Sequence, residues 1–248
     1  LLKTDKDGNQ QWMATYDSIE TNPSVALFDE YGNDVLPTLD GGYLVTGSTG
    51  RYELILLKTD SIGNLLWITK DTAQSRAVGY SLIESENSTY LVTGTSTPVS
   101  WAVPKMYLAK FDSDGNKIWG RSYGWTQGNY AEGYSVKVNS DGEYVILGKG
   151  RYNGSQNGEM LLIKADTTGN VLWEKSFLTN NSSMGFALDV TSDNGYILTG
   201  FTIDTSTGPQ NVFMVKTDSS GIQSWSTTQS GYWGRSIEQT YDNGFVVA

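Results

Sequence analysis

The residues best equipped for chemistry in this chain are acidic. The run 112-DSDGN-116 gathers two carboxylates and an amide within five positions, a cluster of oxygens of the kind that can hold calcium. A second set, Lys137, Asp189 and Glu238, combines one cation with two carboxylates and could serve acid–base chemistry or bind a cation. Composition closes other routes. The chain has no Cys and no His, which removes disulfides, thiol catalysis, Cys-ligated zinc and the commonest general base. A net charge of −10 without a basic cluster argues against nucleic acid and anionic membrane surfaces. No apolar run approaches the ~20 residues that a spanning helix needs, so no membrane insertion is expected.

The meaning of DSDGN is settled by its copies. The chain reads 1-LLKTDKDGNQQW, 56-LLKTDSIGNLLW, 108-LAKFDSDGNKIW, 162-LIKADTTGNVLW and 214-MVKTDSSGIQSW. Trp12, Trp67, Trp119, Trp173 and Trp225 are spaced by 55, 52, 54 and 52 residues, and Lys3, Lys58, Lys110, Lys164 and Lys216 keep the same spacings. Between the copies lie 40-DGGYLVTG, 87-NSTYLVTG, 141-DGEYVILG, 193-DNGYILTG and 242-DNGFVVA. Two interleaved five-fold motifs in register make a tandem repeat of about 53 residues.

Each repeat carries four short runs rich in Val, Ile, Leu and Tyr, bounded by Gly, Asp and Asn, which read as antiparallel strands a to d. In every copy the DxxG run joins strands c and d. Its Asp can accept backbone N–H groups while its Gly turns left-handed. An EF-hand loop needs Gly at position six and Glu at position twelve, whereas Gly115 is fourth from Asp112 and the twelfth residue is Tyr123. The run is therefore expected to be a hairpin turn. No cofactor is expected, with calcium at these turns the alternative. Asn194-Gly195 and Asn243-Gly244 are expected to supply the pair of positive φ values of a tight a–b hairpin.

Four-stranded antiparallel units with one Trp each read as blades of a β-propeller. The Trp is expected to wedge between neighbouring blades. The strand-c Lys is expected to lie outward or snorkel, paired with nearby carboxylates. Complete blades are expected at about 31–71, 77–124, 131–178 and 184–229, in a single domain spanning 1–248. The c–d pair 1–16 and the a–b pair 233–248 are complementary halves, so five blades with Velcro closure are favoured over a slice of a six- to eight-bladed ring. The chain starts inside strand c and stops inside strand b, and material is expected to be missing at both ends.

The repeat GGYLVTG…LLKTDSIGNLLW resembles the tandem propeller repeats of secreted and cell-surface proteins of bacteria and archaea. Its DxxGxxxW portion is similar to the Trp-bearing blade motif of quinoprotein-like propellers, though no cofactor-ligand motif accompanies it. The resemblance implies an extracellular or cell-surface location, in keeping with an acidic chain rich in Asn, Ser and Thr.

In such a ring the a–b and c–d turns share one face, and here they are short and uniform. The variable b–c and d–a connections share the other, and variable loops on a rigid scaffold carry function. Trp101, Trp125, Tyr152, Arg151, Tyr232, Trp233 and Asp204 lie on that face and could stack on sugars or anchor a protein. Strand a lines the channel with a first row of Asp34, Ser81, Ser135, Ala187 and Ser236, mostly small. A second row, Leu36, Ile83, Lys137, Asp189 and Glu238, holds the three channel candidates. The expected function is a non-catalytic binding or assembly module with a protein or glycan partner at the loop face. The alternatives are a glycoside-active enzyme using channel carboxylates, or a structural spacer in a larger surface protein or filament.

Overall fold

Each Lys…DxxG…Trp copy folds as two antiparallel strands joined by a turn that its own Asp closes. In the computed structural model, Asp5, Asp60, Asp112, Asp166 and Asp218 each accept the backbone N–H groups two and four residues on, at 2.8–3.0 Å. The Gly three residues after each Asp is left-handed, with φ between 75° and 84°. DSDGN is a hairpin turn.

The structure describes residues 1–16, 30–72, 74–98, 103–124, 130–151, 158–178, 182–203, 208 and 210–248. The chain begins with the pair β1 (Leu2–Thr4) and β2 (Gln10–Met13). The first complete blade is β3 (Glu30–Pro37), β4 (Tyr43–Thr49), β5 (Leu54–Thr59) and β6 (Leu65–Asp71). The second is β7 (Arg76–Ser85), β8 (Thr89–Thr97), β9 (Lys105–Phe111) and β10 (Lys117–Tyr123). The third is β11 (Ala131–Val138), β12 (Tyr144–Gly150), β13 (Glu159–Ala165) and β14 (Val171–Phe177). The fourth is β15 (Ser183–Val190), β16 (Tyr196–Ile203), β17 (Gln210–Thr217) and β18 (Gln223–Ser230), and the chain closes with β19 (Ile237–Gln239) and β20 (Phe245–Val247). Strands in each complete sheet pair in sequence order, all antiparallel. The two terminal pairs are complementary halves of a blade. They form separate two-stranded sheets, with no ladder between β20 and β1 among the described residues.

Burial follows blade geometry. The middle strands b and c are covered on both faces, and β5 and β13 are buried at every residue. The outer strand d alternates or is exposed, as in β18. Apolar residues of adjacent blades share clusters: Leu44, Leu54 and Leu56 pack with Leu82, Val92 and Tyr107, and Val145, Leu147 and Leu162 pack with Leu188 and Leu198.

The strand-d Trp joins each blade to the next. Trp12, Trp67, Trp119, Trp173 and Trp225 face Tyr43, Tyr90, Tyr144, Tyr196 and Phe245 at ring-centroid distances of 5.6–6.2 Å. Four of these Trp rings also cover the turn glycine of the following blade, so closely that a Cβ on Gly115 would lie 2.7 Å from Trp67.

One local expectation holds in its second form and another is corrected. The strand-c lysines snorkel to nearby carboxylates and do not point outward. Lys58, Lys164 and Lys216 are buried and reach the a–b turn, where they meet Asp40 at 2.8 Å, Glu143 at 2.5 Å and Asp193 at 2.9 Å. A strand covered on both faces has no outward side, so the stem packs and the ammonium finds the nearest carboxylate. The second blade has 87-NST in place of an acidic turn, and Lys110 instead donates to the Tyr144 hydroxyl at 2.9 Å. The Asn-Gly turns also use one left-handed residue, not two: Asn194 and Asn243 have φ of 62° and 64°, while Gly195 and Gly244 are not left-handed. Gly195 serves close approach instead, because a Cβ there would lie 2.2 Å from the Thr217 carbonyl oxygen.

Two outcomes follow. Trp119 is partly buried between blades, so Trp119→Ala should destabilise the fold by about 2–3 kcal/mol, below the full cost of emptying a buried aromatic site, read as a lower urea midpoint with unchanged slope. The Asp40 carboxyl is held at about 2 by its hydrogen bonds, first to Lys58 and then to Thr38, and Asp193 at about 2, first by Thr191 and then by Lys216. Both folded values lie below the ordinary 3.8. Their contribution is therefore complete above pH ~4 and is lost as pH falls toward 2. Replacing the pair as Lys58→Met/Asp40→Asn should flatten the fall in urea midpoint over that window.

Candidate functional site

Strand a is an edge strand, and two local devices shape what it presents to the channel. The first is a β-bulge. Register shifts fall between Gly32 and Asp34, Gly79 and Ser81, Gly133 and Ser135, and Gly185 and Ala187. In the last copy Arg235 and Ser236 both donate to the Ala248 carbonyl, the same two-against-one pairing. The bulged residues are Asn33, Tyr80, Tyr134, Phe186 and Arg235. The Gly before each bulge lets strand a cross the preceding blade: a Cβ on Gly79 would lie 2.2 Å from Thr46 Oγ1, and one on Gly133 2.5 Å from Thr93 Oγ1.

The bulge turns these five side chains toward one another. Tyr80 and Tyr134 stack with centroids 5.2 Å apart, and Tyr134 meets Phe186 edge-on at 5.4 Å. The Arg235 guanidinium lies 4.3 Å from the Phe186 ring centroid and 4.2 Å from that of Trp233. Asn33 donates to the Gly79 carbonyl at 2.7 Å. The expected small row on strand a is thus accompanied by a larger one. The signal lay in the series GND, GYS, GYS, GFA and GRS at 32, 79, 133, 185 and 234, whose middle residue a regular strand would send elsewhere.

Beside this row Glu132 is a gathered carboxylate. It accepts the Tyr134 hydroxyl and forms an ion pair with Lys149 at 2.9 Å, while Lys149 lies 4.8 Å from the Tyr130 ring centroid. Burial first, and then the Glu132 charge, raise the Tyr134 hydroxyl far above the ordinary tyrosine range. Burial and the hydrogen bond to Glu132 do the same for Tyr130, against a smaller opposing effect from Arg151.

The second device satisfies exposed edge N–H groups with side chains from the blade before. The Leu82 N–H donates to Asp34 at 2.9 Å, the Leu188 N–H to Ser135 at 3.4 Å and the Gln239 N–H to Asp189 at 3.4 Å. Asp189 also accepts the Val190 N–H at 3.0 Å and faces the Lys137 ammonium at 3.7 Å. Glu238, next to Gln239, is exposed and makes no side-chain hydrogen bond or ion pair among the described residues. The structure therefore brings Lys137 and Asp189 together across β11 and β15, and sets Asp189 against the backbone of the residue beside Glu238 on β19.

Of the loop-face candidates, Trp233 and Arg151 sit beside the channel mouth, Arg151 through its backbone N–H to the Tyr130 carbonyl at 2.8 Å. Tyr232 is 81% exposed and lines a shallow groove with Gln210 and Asn211. Trp101, Trp125, Tyr152 and Asp204 lie outside the described residues. Among the described residues no cluster of three or more carboxylates could hold a metal ion, and no helix is long and apolar enough to cross a membrane.

Comparison with solved structures places this arrangement. The chain aligns over 90% of its length, and over 89% of the other, with an endo-arabinase from Bacteroides thetaiotaomicron VPI-5482, a five-bladed propeller, at 12% identity and a TM-score of 0.51. The fold is a β-propeller. No family model matches the sequence, and no curated protein does. The likeness also corrects the expected function. A non-catalytic module was inferred from uniform repetition without a chemically distinctive insertion. A propeller fold also serves an endo-arabinase, so the fold gives no ground for the non-catalytic reading.

The buried phenols give a direct check on this packing. Burial chiefly raises Tyr107, Tyr123, Tyr130 and Tyr134 well above the ordinary value of 10. Tyrosinate absorbance of the native protein should therefore rise in two phases, the second coinciding with alkaline unfolding. In urea the 15 tyrosines should titrate as one.

Proposed function

We propose that the chain is a glycan-cleaving enzyme working outside the cell, with Asp189 and Glu238 as its reacting carboxylates. The observation carrying this reading is that Asp189 accepts the backbone N–H of Gln239, the residue beside Glu238, at 3.4 Å, with the two acidic positions on the adjacent strands β15 and β19. Hydrolysis of a glycosidic bond needs such a pair: one gives a proton to the leaving oxygen, the other attacks the anomeric carbon or activates the water that does.

The two differ in how they are held. Asp189 is oriented by two backbone N–H groups and the Lys137 ammonium, which suits a fixed nucleophile or base. Glu238 is exposed and unengaged among the described residues, which suits a proton carrier that meets the leaving group. The aromatic row Tyr80, Tyr134, Phe186 and Trp233 offers flat apolar faces on which sugar rings stack. The similarity in fold to an endo-arabinase makes linear arabinan the first polymer to try. An acidic, Asn-, Ser- and Thr-rich chain without Cys agrees with an extracellular setting for polymer cleavage.

The test is reducing-end release from arabinan and a panel of plant and bacterial polysaccharides. The wild type should cleave at least one. Asp189→Asn and Glu238→Gln should each lower kcat by roughly 100- to 10,000-fold, the usual span for a catalytic acid or base, with unchanged thermal midpoints. A panel left intact by the wild type, or variants as active as the wild type, would remove the reading.

A further inference from the structure

Arg235 is placed as a ligand-reading group whose hydrogen-bonding edge no side-chain ion pair uses among the described residues. It is exposed, yet its guanidinium is not free to wander, because Phe186 and Trp233 hold it at 4.3 and 4.2 Å. Among the described residues its side chain forms no ion pair, in a chain whose net charge is −10 and whose buried lysines are matched to carboxylates. The nearby carboxylate Glu132 is already taken by Tyr134 and Lys149. A guanidinium held against ring faces keeps N–H groups along its own edge for a ligand, and that planar fork can meet a carboxylate with two parallel hydrogen bonds.

The surroundings point to a carboxylate carried on a sugar. The Trp233 indole N–H donates to the Gln210 side chain, and Gln210 lines the groove that continues past Asn211 and Tyr232. An extended ligand would therefore find an aromatic face, amide groups and a guanidinium in succession. Arg235 precedes Glu238 by three residues, about 10 Å of extended chain, or one to two sugar units from the proposed reacting pair.

We infer that Arg235, clamped by Phe186 and Trp233, is a subsite for a uronate unit, so that the glycan taken by this protein carries carboxylates. This rests on the catalytic reading only for what happens to the glycan, not for its binding.

The experiment is calorimetric titration of the full chain with galacturonate and glucuronate trisaccharides, their methyl esters, and sodium acetate as a free carboxylate. At least one uronate should bind about tenfold more tightly than its ester, the worth of one good charged pair. Added salt should weaken it. Arg235→Ala should erase the preference, and Arg235→Lys, which keeps the charge but loses the fork, should recover only part of it. Circular dichroism confirms that each variant is folded; Arg235→Gln serves if Arg235→Ala is not. Equal binding of acid and ester, no binding of any uronate, or acetate competing as well as the sugar would overturn the inference. Uronate binding without cleavage of any polymer would leave it standing and remove the catalytic reading. Cleavage of neutral arabinan with no carboxylate preference would do the reverse.

Discussion

The contact on which the molecule depends is the strand-d Trp lying on the next blade. Each ring touches an aromatic at the start of the neighbouring strand b, and in four copies it also covers the neighbouring turn glycine. A four-stranded sheet with two apolar faces cannot stand alone in water; it must be covered on both sides, and here an identical sheet covers it. The Trp sets the spacing and register of that covering. Because Trp225 meets Phe245 and Trp12 meets Tyr43, the terminal half-blades are held by the same contact as the complete ones.

From that regularity follows the division of labour along each strand. Strands b and c are the most buried of each complete blade, and beside their apolar residues they carry buried hydroxyls such as Thr46, Thr93 and Thr199. The charged Lys on strand c is matched to a turn carboxylate where the turn supplies one. Removing one partner of such a pair would leave a buried charge, which is why the a–b turns and strand c are constrained together. Strand a is the inner of the two edge strands of each complete sheet. Side chains from the preceding blade cap its N–H groups, and its bulge supplies a residue free of the ladder.

That free residue is where the blades stop being equivalent. The same backbone position holds Asn33, Tyr80, Tyr134, Phe186 and Arg235, so a uniform scaffold presents an asymmetric channel mouth. The second row on strand a is equally unequal, since Leu36 and Ile83 stand where Lys137, Asp189 and Glu238 stand in the later blades. Charge and aromatic area therefore concentrate over one arc of the ring, from β11 to β19. A ligand approaching the channel would meet its polar and charged groups there.

The sequence by itself determined the repeat, the four strands of each blade, the DxxG turn and the wedging Trp. Each is a short-range pattern, a period of two or an Asp three residues from a Gly, repeated until chance is excluded. It also brought Lys137, Asp189 and Glu238 to equivalent positions, because register within a repeat is countable. It did not reveal that the strand-c lysines turn inward, since that follows from coverage on both faces by neighbouring blades. Nor did it reveal the bulge, which inserts one extra residue into strand a and so adds a side chain that strand alternation does not place. Tyr80, Tyr134, Phe186 and Arg235 became a site only when five distant segments were brought around one axis. Stacking and ion pairing between blades depend on distances in space, and the tertiary structure alone sets those.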